Sequence, residues 1–344
     1  MLNKYDVCSV PLPTSTSTVL NYQSSTEFSE STFPGLTNAF GKHVIDNSPT
    51  SPHRGNIYVP MVACSQGNPA QLVLNAESQN GCTTTVDQVV GVSTDGGATF
   101  TDYRVVLDTS NNQPLVWPNT VATDAAGTVY FTWANNHNVF LNISHDGGKT
   151  WTTPRQLNVT PSRAGVYPTV AGGKAGHVVV GWYGTAKAGD VNDPKVMGQP
   201  SKLTSTPWYV YVAESTNGGK TFTQSRATNV IHRGELCTHG SGCADKNSRN
   251  LLDDFGVAIS PTTELASVSY TADQPDGTAG HAFTGYTTML PAATHPSTTP
   301  VTEPTKPASK PLAAAGGLPL AGLALMVLLA AALLTRRIRG RADG

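Results

Sequence analysis

Runs of β-branched and aromatic residues recur along the chain, each bounded by Gly, Pro, Asn or Asp. The longest are GNIYVPMVA at 55–63, GTVYFTWA at 127–134, HVVVGWYG at 177–184 and LASVSYTA at 265–272. Runs of this length and composition are strands rather than helices. Further short strands at 86–93, 139–144 and 209–215 each run into a glycine pair. The spacing groups them in fours: one unit comprises 119–123, 127–134, 138–144 and 150–154, and others begin near Lys42, at Tyr167 and at Asp254. The pattern predicts an all-β domain of four-stranded antiparallel units over 40–290, preceded by an irregular segment at 1–39.

Three octamers punctuate these units without gaps: STDGGATF at 93–100, SHDGGKTW at 144–151 and STNGGKTF at 215–222. Each sits between two strands and reads as a hairpin turn. Asp95, Asp146 and Asn217 can accept from turn amides after Ser93, Ser144 and Ser215. Gly97, Gly148 and Gly219 supply positive φ, and an aromatic such as Trp151 packs beneath. The octamers resemble the Asp-boxes (SxDxGxTW, or BNR repeats) of the sialidase-like family. That resemblance implies a β-propeller of four-stranded blades, about four of them present here, and an exo-acting glycoside hydrolase or a non-catalytic glycan- or protein-binding module. Sialidases have six blades, so a larger ring shortened at its N-terminus is expected ahead of a true four-blade ring.

Composition narrows the partners. Four of the 22 basic residues fall in the last nine positions, leaving a body of 18 basic and 22 acidic residues with no basic field for nucleic acid. The C-terminus changes character: a Pro/Thr-rich stretch at 291–311 reads as a stalk, and 312–335 carries no charge. Residues 336–344 hold four arginines. A run of that length spans a hydrocarbon core of ~30 Å as a helix, and the arginines mark the cytoplasmic end, which places the body outside the cell. The sequence LPLAG at 318–322 also resembles a sortase signal, with Ala321 where Thr is expected. No secretory h-region precedes the body, so an upstream start is expected.

An exported body favours disulfides. Cys64 and Cys82 close the base of one long loop, Cys237 and Cys243 close a small ring, and Cys8 is left over. No spacing fits a metal site, and no cofactor is expected.

Strand parity sorts the remaining chemistry. The Asp-box turns share one face of the domain. The opposite face collects the loops at 65–85, 135–137, 185–207 and 273–281, with the inter-blade connections at 159–166 and 231–253. Long loops on a rigid scaffold are where binding sites gather. Trp117, His232, Arg233 and Asp254 are binding candidates there. The family resemblance implies an arginine clamp for a carboxylate, a Tyr–Glu nucleophile pair and an Asp acid/base. The candidates for those roles are Arg163, Arg249, Tyr167, Glu235 and Asp253. The family's Arg-Ile-Pro motif is absent, and hydrolysis of sialosides is not expected.

Overall fold

The computed structural model describes residues 2–5, 15–18, 42–64, 86–108, 119–200, 202–238, 243, 246–251, 255–273 and 283–288. Three blades have four antiparallel strands in sequential order. The first is β3 (Val44–Ile45), β4 (Ile57–Cys64), β5 (Val86–Ser93) and β6 (Thr101–Asp108). The second is β7 (Thr120–Thr123), β8 (Val129–Ala134), β9 (Val139–Ser144) and β10 (Arg155–Gln156). The third is β11 (Ala164–Gly172), β12 (Val178–Thr185), β13 (Pro207–Ser215) and β14 (Thr223–Arg226), with β15 (His232–Arg233) adding to the end of β13. The last shows three strands among the described residues: β16 (Gly256–Ile259), β17 (Ala266–Ala272) and β18 (Phe283–Thr288).

Three boundaries differ from the sequence reading, one being the third unit, which opens at Ala164 rather than Tyr167. The outer strand of the second blade is Arg155–Gln156 rather than 150–154, because Trp151 and Thr152 finish the preceding turn. The first segment is not wholly irregular. Leu2–Tyr5 (β1) pairs antiparallel with Ser15–Thr18 (β2), where Ser and Thr alternate.

The central strands of the second and third blades are apolar on both faces, because each of these two blades is stacked between two others. In β8, Val129, Phe131 and Trp133 pack toward the first blade, while Tyr130 and Ala134 pack toward the third. In β12, Val178, Val180 and Trp182 face the second blade, and Val179 and Tyr183 face the last. The strand period of two therefore distributes one hydrophobic run between two cores. Gly172 lets the second and third blades approach, since a Cβ there would lie 2.2 Å from the Thr123 carbonyl oxygen.

The inner strands gather at one centre. Lys42, just ahead of β3, bridges to Thr120, and its ammonium donates to the carbonyl of Phe255, just ahead of β16. The stalk, the apolar run and the basic tail lie outside the described residues. Among the described residues, no helix is long and apolar enough to cross a membrane.

Candidate functional site

The Asp-boxes join the third and fourth strands of the first three blades, and their chemistry is spent within the turn. The Ser144 hydroxyl donates to Asp146 Oδ1 (2.8 Å) and accepts from the Gly148 amide (2.9 Å). Thr150 donates to the same carboxylate through its amide (2.9 Å) and its hydroxyl (2.6 Å). The first box repeats this set around Ser93, Asp95, Gly97 and Thr99. In the third, Asn217 Oδ1 accepts from Ser215 and the Thr221 amide, and its Nδ2 donates to the Thr221 hydroxyl (2.7 Å). Asn thus replaces Asp by reversing one donor.

Donors from the Thr99 hydroxyl, the Thr99 amide and Ser93 hold the Asp95 carboxyl well below the ordinary range. Partial burial pushes Asp146 upward, but the contacts from Thr150, Ser144 and Lys149 outweigh it and leave the carboxyl at about 2. Neither carboxylate has a proton to give at neutral pH. The boxes also tie blades together: a Cβ on Gly148 would come 3.1 Å from Val92, and one on Gly219 would come 2.4 Å from Ile143. Trp151 sits edge-on to Phe131 at 5.9 Å.

On the opposite face, the 185–207 segment is packed rather than open. Asp193 caps a short helix, α1 (Pro194–Met197), and Val191 and Met197 are fully buried with Trp208, Leu236 and Leu251. The Cys237–Cys243 disulfide is formed, with its Cα atoms 5.8 Å apart. Its ring is held to this segment by Thr238, whose amide and hydroxyl donate to Asn192 Oδ1 (2.7 and 3.0 Å).

The sequence candidates separate sharply in this frame. Arg163 is exposed at the start of β11, its amide held by the Thr185 carbonyl (2.7 Å). Arg249 is half-buried at the end of a single 3-10 turn. Tyr167 does not open its unit but lies inside β11. A bulge within β11 puts it at φ 54°, and its ring is buried edge-on against Tyr183. Arg233 is spent on structure, donating to the carbonyls of Leu203 (3.0 Å) and Ser205 (3.3 Å). Glu235 is buried. Trp117, Asp253, Asp254, Cys8, Cys82 and the side chain of Cys64 lie outside the described residues, and with them the 64–82 pairing.

What the structure does assemble is a buried polar group that one sequence does not reveal. His232 has no exposed surface; its Nε2–H donates to the Glu235 carbonyl (3.1 Å) and its Nδ1 meets Asp273 Oδ2 (2.6 Å). Asn250 donates to the same oxygen (3.1 Å). Among the described residues, Asp273 Oδ1 is buried without a hydrogen-bond partner. Its one sequence signal is an Asp ending an apolar strand. Among the described residues, no group of His, Cys, Asp and Glu could hold a metal ion.

No family model matches the chain, and no curated protein matches it. Solved structures show remote likeness. A leech intramolecular trans-sialidase is 10% identical with a TM-score of 0.40, covering 74% of this chain and 32% of its own. A Ruminococcus gnavus intramolecular trans-sialidase is also 10% identical, with a TM-score of 0.36, covering 66% of this chain and 38% of its own. A Penicillium chrysogenum α-L-arabinanase is 14% identical with a TM-score of 0.38, covering 71% of this chain and 61% of its own. The chain spans less than two thirds of each of these proteins, and the blade architecture rests on the strand pairing and packing described above.

Proposed function

We propose that this chain holds extracellular glycans on its loop face and does not cleave them. The observation that carries the second half is Tyr167: a phenol packed edge-on against Tyr183 in the core cannot attack a sugar ring. The spent guanidinium of Arg233 supports the same reading, since it leaves only Arg163 and Arg249 among the candidates for a carboxylate clamp. Glycan binding is supported by the Asp-box resemblance and by Arg163, which is exposed at the start of β11 on the loop face. A planar guanidinium donor suits the carboxylates and hydroxyls of sugars.

The test is a glycan-array measurement on the full chain and on Arg163→Ala. Binding to an acidic glycan that weakens about tenfold in the variant supports the reading. Equal binding by both proteins, or none by either, overturns it.

The same proposal places the body outside the cell, carried on the 291–311 stalk and anchored through 312–335, with sortase processing at LPLAG as the alternative route. Protease treatment of intact cells is expected to release the body. A body protected until the cells are broken contradicts that topology.

A further inference from the structure

The face opposite the loops, where the first-to-second strand turns of the four described blades converge, holds an open cavity of about 280 Å³. We propose that this cavity binds a small zwitterion of the α-amino-acid type, carboxylate to Lys174 and ammonium to Glu264. Its volume equals roughly nine water molecules at ~30 Å³ each, room for one small molecule rather than a sugar chain.

The walls are braced across the three seams between successive blades. The Ala125 amide donates to the Gly173 carbonyl (2.9 Å), and the Gly176 amide donates to Asp124 Oδ2 (2.7 Å). Ser48 and Thr50 donate their hydroxyls to the Ala125 carbonyl (2.8 and 2.6 Å). His177 stands between Glu264 Oε2 (2.7 Å) and Glu214 Oε1 (2.9 Å), joining the third blade to the last. A cavity bounded by such contacts is preformed, and a ligand entering it loses little to reorganisation.

Its open chemistry is that of two opposite charges and an apolar side. Asp124 is saturated: Oδ1 accepts from the amides of Ala126 and Thr128, and Oδ2 accepts from Tyr130 and Gly176. Glu264 is not. Its Oε2 takes the Lys174 amide (3.0 Å) and the His177 ring, while Oε1 has no hydrogen bond among the described residues. Burial acts against its charge, yet those donors outweigh it and keep the carboxyl ionised below its ordinary range. Glu264 also sits at φ 58°, a conformation that favours glycine, so its side chain is present at a conformational cost. The Lys174 side chain is exposed at the rim, and Pro49, Ile259 and Pro261 supply the apolar wall.

Saturation-transfer NMR on the full chain tests this with L-valine, isobutyrate and isobutylamine as probes. Saturation of L-valine alone is expected, with about tenfold weaker binding in Lys174→Ala, whose backbone amide still holds Glu264. Equal response to isobutyrate removes Glu264 from the site and overturns the proposal. No response to L-valine, or full binding by Lys174→Ala, overturns it as well. The glycan measurement concerns the opposite face, so either result stands without the other.

Discussion

Replacing His232 with alanine is expected to cost about 3–5 kcal/mol in stability, the usual result of leaving a buried charge without its partner. His232 is fully buried, and Asp273 is 2% exposed, with Asn250 as the carboxylate's other hydrogen-bond donor. The imidazole also fixes the Glu235 carbonyl two residues ahead of the disulfide ring, so the loop face loses its support at the same time. A double variant, His232→Leu with Asp273→Leu, is expected to recover most of the loss, because replacing both partners removes the uncompensated charge. Urea unfolding of the three proteins measures both effects. A single variant within 1 kcal/mol of the parent contradicts a buried pair at this position.

Asp146→Ala is the second large change, with an expected loss of about 1–2 kcal/mol. The carboxylate accepts from Ser144, Lys149 and Thr150 together, and hydrogen bonds to a charged acceptor contribute more than neutral ones. The turn faces water, which screens these contacts and lets solvent replace some of them, so the figure stays well below that for His232. Asp146→Asn is expected to lose less than Asp146→Ala at pH 7, because Asn217 already fills the equivalent position in the third box while lacking the carboxylate's charge.

The same residue gives a pH signature. Its folded carboxyl is depressed to about 2, so its stabilisation is present above the unfolded value and lost as pH falls from about 4 toward 2. Thermal unfolding across that window should show a shallower acid loss in Asp146→Asn than in the parent. Identical acid profiles contradict the role assigned to the carboxylate.

The fold was legible where its chemistry is local. Ser, Asp or Asn, Gly and Thr of each box act within five residues, so the turn can be read from the octamer alone. The blade stacking shows in strands such as GTVYFTWA, whose lack of alternation means that both faces are covered. The site was far less legible, because its partners are distant in sequence. His232 and Asp273 are 41 residues apart, and nothing in either neighbourhood announces the other. Tyr167 looked available because it opens an apolar run, but the bulge at Val166–Thr169 turns the chain and sends the ring inward. Arg233 looked like a ligand-binding cation, but its guanidinium satisfies carbonyls of a packed loop.

A glycan-holding propeller and a glycosidase differ most directly in turnover. The full chain, incubated with a fluorogenic sialoside at neutral pH, is predicted to release no fluorophore above buffer. The two remaining arginine candidates, Arg163 and Arg249, do not replace a nucleophile buried in the core. Losing one preorganised electrostatic contact costs ~3 kcal/mol, a hundredfold or more in rate, and here the nucleophile is lost as well. Release of fluorophore that disappears in Arg163→Ala or Arg249→Ala would contradict the account and make the loop face an active site.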